Sequence, residues 1–201
     1  MAKKTKKGFL EELKKEFSTY GLALIPIAIG INWAGGFLVQ TLKLPIWGDT
    51  IGTIIAAVLA GPWVGFAAGG LTNLVKNFTF DPIGAAYGIV NAVIGLIAGY
   101  MYKTGRFTEK SNWVEVLGTG LILAFAATVI SAPITVYFFG GVTGAGADLI
   151  TAMILGTEES TGLLTAVFGS ELVTDLLDKV LSVFIVFAVM KKLPSRMLRN
   201  K

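Results

Sequence analysis

The sequence predicts an all-α membrane protein, a six-transmembrane-helix bundle with its N- and C-termini in the cytoplasm. Three observations predict it. The composition is 54% hydrophobic and only 15% charged, against about 25% charged in an ordinary soluble domain. Apolar runs recur along the chain, several of them near the ~20 residues that a bilayer requires. Lys and Arg gather in alternate connections, which is the pattern of the positive-inside rule.

The elements follow in order. Residues 1–17 read as a cytoplasmic interfacial amphipathic segment, 18–190 as the six-helix membrane domain and 191–201 as a basic cytoplasmic tail. In the first segment Lys3, Lys4, Lys6, Lys7, Lys14 and Lys15 interleave with Glu11, Glu12 and Glu16, while Phe9, Leu10, Leu13 and Phe17 recur at helical spacing. Such a stretch suits a helix lying on the membrane surface. No cleavable leader is expected, because the next apolar run is too long for a signal h-region and lacks a small-residue cleavage end. That run, about Ser18 to Gln40, is the first span. A loop containing Leu44-Pro45-Ile46-Trp47 leads to a second helix from Asp49 to Ala60, with Asp49 or Thr50 as its cap and Gly61-Pro62 as its stop. The third runs from Trp63 to Lys76. Both are short and are expected to tilt or to extend further. The fourth covers Pro82 to Tyr102, with proline in the first turn where its missing N–H goes unnoticed. The fifth covers Trp113 to Phe138. A glycine-rich link, a short amphipathic piece from Ala147 to Leu155 and a polar stretch precede the last helix, Leu163 to Met190.

The charges test this topology. Six lysines precede the first span; Lys103, Arg106 and Lys110 follow the fourth; Lys191, Lys192, Arg196, Arg199 and Lys201 follow the last. Only Lys43 and Lys76 fall on the opposite side, and Lys179 lies inside the last helix. Both ends inside satisfies this pattern. The net charge of +4 is then topological, and nucleic acid is not expected as a partner. With neither cysteine nor histidine, thiol nucleophiles, histidine triads and the usual zinc and haem ligation are excluded. No metal or cofactor is expected. A Walker A sequence is absent, so the chain is not expected to hydrolyse ATP alone. No catalytic constellation stands out, and an enzyme is not expected.

Polar residues inside lipid are expensive and therefore informative. Glu171, Asp175 and Asp178 share one face of the last helix, and Asp175 and Lys179 form an i,i+4 pair with the acid first. Asp178 and Lys179 read as a structural ion pair; Glu171 and Asp175, nearer the outer end, read as ligand-facing. Asn32, Gln40 and Asn73 suit hydrogen bonds between helices. Asn91, four residues after Tyr87, could orient a planar solute, or both could be packing residues. Trp33, Trp63 and Trp113 fit an aromatic belt. Trp47, beside Asp49 in a loop, could cover a pocket mouth. Gly30-x-x-x-Ala34 and Gly65-x-x-x-Gly69 permit close helix approach, within the bundle or against a partner.

The run Leu44-Pro-Ile-Trp-Gly-Asp-Thr-Ile-Gly-Thr, then Ala60-Gly-Pro-Trp-Val-Gly, then Gly70-Leu-Thr-Asn73, resembles the substrate-binding membrane subunits (S components) of energy-coupling factor (ECF) transporters. Ser131-Ala-Pro-Ile, Phe139-Gly-Gly-Val-Thr-Gly and Asp178-Lys179 followed by Lys192-Leu-Pro-Ser-Arg196 are similar to the same family, and the resemblance covers nearly the whole chain. It implies a multi-pass plasma-membrane subunit that captures a small solute from outside and delivers it by toppling. The implied partners are a transmembrane coupling (T) subunit and two cytoplasmic ATPase subunits. It also implies an outward pocket with the first outer loop as lid. On this chain that selects Trp47 with Asp49, Tyr87, Asn91, Ser131, Tyr137, Glu171 and Asp175. The family's docking pair of small residues is missing from the start of the first helix; Gly30 and Ala34 are the nearest equivalent. The acids favour a neutral or cationic heterocycle such as a vitamin, nucleobase or nucleoside, because only Lys179 lies deep enough to meet an anion. A membrane-embedded ligand-sensing domain with no transport role is the alternative.

Overall fold

The structure, a computed structural model, describes residues 2–157, 162–194 and 196–198. Arg199 and Lys201 of the tail, and the side chains of Lys3, Lys4, Lys6 and Lys7, lie outside the described part. Among the described residues there are helices and no strands. In chain order they are α1 (Ala2–Glu16), α2 (Thr19–Thr41), α3 (Ile51–Ala60), α4 (Pro62–Asn77), α5 (Gly88–Lys103), α6 (Trp113–Phe139), α7 (Ala147–Thr157) and α8 (Leu163–Lys192), with a 3-10 turn at Gly84–Tyr87. Among the described residues, three stretches are long and apolar enough to cross a membrane: Thr19–Thr41, Gly84–Lys103 and Trp113–Phe139. Helix α8 is longer, at 30 residues, but carries Glu171, Asp175, Asp178 and Lys179 in its middle.

Successive long helices run antiparallel. The start of α2 meets the start of α4, where Val64 Cγ2 is 3.3 Å from the position of a Cβ on Gly21. Gly99 near the end of α5 packs on Pro62, and Gly88 at its start faces Gly70 and Asn73. Thr128 and Ser131 of α6 meet Asp175 and Glu171 of α8. The chain therefore brings α1, the Gly61 corner, the 104–112 loop and the end of α8 to one end of the bundle. The 42–50, 78–87 and 140–146 loops form the other end. Helix α1 is anchored at the first end. Glu16 accepts a 2.8 Å hydrogen bond from the Trp63 N–H, satisfying a donor that a helix start leaves open. Glu12 pairs with Lys103, and Phe9 meets Trp63 edge-on with ring centroids 5.5 Å apart.

Glycines set the spacing between α3, α4 and α5. A Cβ on Gly65 would strike Ala57, one on Gly69 the Asn91 carbonyl, one on Gly95 the Gly65 carbonyl. The Gly65/Gly69 pair thus packs inside the bundle. Gly30 and Ala34 point outward instead, with nothing within 4 Å of a Cβ at Gly30. Asn32 makes the interhelical bonds expected of it. Its amide donates to Thr53 at 2.8 Å and Thr72 at 3.0 Å, and its carbonyl accepts the Gly52 N–H at 2.7 Å.

That last bond corrects one expectation. Neither Asp49 nor Thr50 caps α3 through its side chain; Asn32 supplies the acceptor from a neighbouring helix, and Asp49 is held by Lys76. A second correction concerns Pro82, which lies in a turn before the fourth long helix rather than inside it. Asn73 donates to the Gly84 carbonyl at 2.9 Å and Asn77 accepts from Ala85 at 3.4 Å. These side chains hold 84–87 as a 3-10 turn, and α5 starts at Gly88.

Candidate functional site

A cavity of about 90 Å³ opens at the end of the bundle that carries the 42–50 loop. It is built where that loop meets α4, α5, α6 and α8. Gly48, in left-handed conformation at φ +67°, lets the loop turn flat against α2, where a Cβ on Gly35 would collide with the Gly48 carbonyl. The loop is then fastened to α8. The Trp47 and Gly48 N–H groups donate to Asp178 Oδ1 at 3.1 and 2.6 Å, and the Trp47 indole donates to Asp175 Oδ1 at 3.0 Å.

Among the described residues two lysines reach the cavity, each between two carboxyls. Lys179 Nζ lies 2.5 Å from Asp178 Oδ2 and 3.7 Å from Asp175 Oδ1. Lys76 Nζ lies 2.6 Å from Asp49 Oδ2 and 3.4 Å from Asp81 Oδ2. Asn91 donates to Asn73 Oδ1 at 2.7 Å and to Asp49 Oδ2 at 3.2 Å, tying α4, α5 and the loop together. Burial works against a charge on Asp49, but Lys76 and, more remotely, Lys179 outweigh it, so its carboxyl stays below the ordinary aspartate range.

A hydroxyl chain lies along the α6–α8 seam, on the side of Asp175 and Lys179. Tyr87 Oη is 2.8 Å from Thr135 Oγ1; Thr135 donates to Glu171 Oε1 at 2.5 Å, and Ser131 donates to Oε2. Glu171 is buried and has no cationic partner among the described residues. A second loop closes the remaining side. Asp148 accepts N–H bonds from Thr143 at 3.0 Å and Gly144 at 2.6 Å, shaping a turn whose Thr143, Ala145 and Gly146 line the cavity. Lys43 donates to the Gly144 carbonyl at 2.9 Å, so the two loops touch.

Of the residues singled out in the sequence, Trp47, Asp49, Tyr87, Asn91, Ser131 and Asp175 line the cavity. Glu171 sits behind Ser131. Tyr137 does not join them: it is 77% exposed. Ser131 and Thr135 face inward on α6, and two residues beyond Thr135 the helix has turned about 200°, which points Tyr137 outward. Asp178 and Lys179 pair as expected, but Asp175 makes the pair a triad. Lys76 is the other correction, since Lys179 is not alone as a cation near the site. A lysine in an apolar helix was the available signal. Its partner Asp49 is 27 positions away, and no sequence spacing announces that contact.

Fold and cavity together define a multi-pass helical membrane protein with an internal polar site at one end. The chain belongs to the family described as ECF transporter, substrate-specific component, which it matches over residues 21–190. It is accordingly a substrate-binding transport subunit of the plasma membrane. Neither the curated proteins nor the solved structures give a match.

Proposed function

We propose that this chain captures a small heterocyclic solute from outside the cell and hands it to an ATP-driven import complex. In this reading α2, α3, α4, α5, α6 and α8 are six spans, both termini are cytoplasmic, and the cavity faces outward. The basic residues Lys103, Arg106, Lys110, Lys191 and Lys192 all fall at the end carrying the termini, in keeping with that orientation. The observation that carries the reading is the closure of the Trp47 loop over converging polar groups of α4, α5 and α8. Ligand pockets usually measure about 300–1,000 Å³. The cavity is smaller, so a vitamin-sized solute has to displace the Trp47 side chain and then be covered by it.

The chain contributes no catalysis to this scheme. Energy comes from two ATPase subunits acting through a coupling subunit. The outward-facing surface of α2 around Gly30 and Ala34 is the candidate docking face. Co-expression with the coupling subunit and ATPases, followed by native mass spectrometry, tests the reading. The expected result is a stoichiometric complex that retains a low-mass solute. A chain that never co-purifies with those subunits and holds no solute would overturn it.

A further inference from the structure

The carboxyls of the cavity outnumber its ammonium groups. Each lysine lies between two aspartates, Lys76 between Asp49 and Asp81, Lys179 between Asp178 and Asp175. Each triad therefore holds one carboxyl more than its lysine can neutralise. In both triads one arm is tight and one is loose. The tight arms are Asp49 and Asp178, at 2.6 and 2.5 Å; the loose arms are Asp81 and Asp175, at 3.4 and 3.7 Å. Both loose arms line the cavity; of the tight arms Asp49 lines it and Asp178 does not. Resting on the reading of this chain as a solute-capturing subunit, we propose that the solute is an organic cation whose charged nitrogen is held by Asp81 and Asp175.

The rest of the lining fits this chemistry. An anionic group would have to draw Lys76 or Lys179 from two carboxyls and leave both uncompensated in a low-dielectric site, which is strongly unfavourable. A cation instead completes each triad. Asp175 already accepts the Trp47 indole N–H at 3.0 Å, so its outward oxygen is shaped for an N–H donor that a solute can supply when the loop lifts. Trp47 and Tyr87 also line the cavity, and aromatic rings attract a cation. Val39, Leu44, Ile46 and Val90 provide an apolar wall for the body of the molecule. A bare metal ion is a poor occupant, since among the described residues no three carboxyls converge to hold one.

The test uses the purified full-length chain in mild detergent and two triples of ring-matched probes. One triple is 1-methylnicotinamide, nicotinamide and nicotinate; the other is pyridoxamine, pyridoxine and 4-pyridoxate. Binding is read by isothermal titration, and any small molecule retained from the cells is identified by mass spectrometry. The cationic member of at least one triple should bind at least tenfold more tightly than its neutral and anionic partners. Asp81→Asn and Asp175→Asn should each abolish that preference. A retained solute that is neutral or anionic, a silent or charge-blind panel, or a cation preference that survives both substitutions overturns the proposal. Asp81 lies in a loop, so its variant keeps the test open if Asp175→Asn misfolds. A complex with the coupling subunits that carries a neutral or anionic solute would sink the cation and leave the import reading standing. A chain that forms no complex and holds no solute, with a silent panel, would remove both.

Discussion

The α4–α5 and α6–α8 seams solve one problem by opposite means. Lipid gives helices no hydrophobic reason to associate, so they must pack closely or exchange hydrogen bonds. Along α4–α5 the contact is backbone against backbone, made by Gly65, Gly69, Gly95 and Gly99. Along α6–α8 it is polar, made by Thr128, Ser131 and Thr135 against Asp175 and Glu171. The first seam carries its polar groups, Asn73 and Asn91, only at the cavity end, where they hold Asp49 in place. The second carries them through its middle. One wall of the cavity thus rests on a close-packed backbone seam, with Lys76 at its cavity end, and the other carries its carboxyls within the seam itself. A binding site needs both, because its polar groups must be held in place by packed support.

Substitutions can break this contrast, and the largest effect is expected at Lys179. Lys179→Met removes the cation from a buried triad and should cost about 3–5 kcal/mol, read as the unfolding free energy in mixed micelles. Adding Asp178→Leu should recover only part of the loss, since Asp175 stays uncompensated and the Trp47 and Gly48 N–H groups lose their acceptor. If the single variant is as stable as the parent, the triad does not hold α8 in place. Next comes Gly95→Val on the other seam. Its side chain would fall on the Gly65 backbone, which has no rotamer to move aside, and overpacking of this kind costs about 1–3 kcal/mol. An unchanged unfolding midpoint there would mean that the dry seam is looser than its geometry. Smaller again is Trp47→Phe, which keeps a ring over the cavity but removes the donor to Asp175. Losing a bond worth about 0.5–1.5 kcal/mol to the closed loop should tighten solute binding by roughly two- to tenfold. Weaker binding would show instead that the indole N–H contacts the solute rather than competing with it.

The two seams also differed in how far the sequence revealed them. Helix order and nearly all boundaries followed from apolar length and from Gly/Pro punctuation, both of which are local. Asn32 was legible because a polar residue in an apolar helix has few other uses, whereas Gly65/Gly69 announced a close approach without saying whether its partner lay inside the bundle or outside it. The start of α5 was misread at Pro82, since the side chains that hold the preceding turn come from α4. Acids on α8 could be placed on one face by counting. Their partners could not: Asp178 is met by Trp47 and Gly48 across 131 and 130 positions, and Asp49 by Lys76 across 27. Tyr137 failed for a simpler reason. A residue two places from an inward position on a helix points away from it, whatever its depth along the chain.

The smallest substitution separates structure from binding most cleanly. Thr128 donates to Asp175 Oδ2 at 2.7 Å from the middle of α6. Thr128→Val keeps the shape and removes only the hydroxyl. A hydrogen bond between membrane helices is worth about 0.6 kcal/mol on average, because the unfolded chain in lipid finds other partners. The unfolding free energy should therefore barely change. Asp175, however, loses the donor that fixes one of its oxygens, while the other faces Trp47 and Lys179. Solute affinity should fall several-fold through a carboxyl that is present but no longer aimed. A stability loss comparable to that of Lys179→Met would reverse this assignment, making the hydroxyls the glue of the seam. An unchanged affinity together with unchanged stability would mean that Asp175 is positioned by its triad alone.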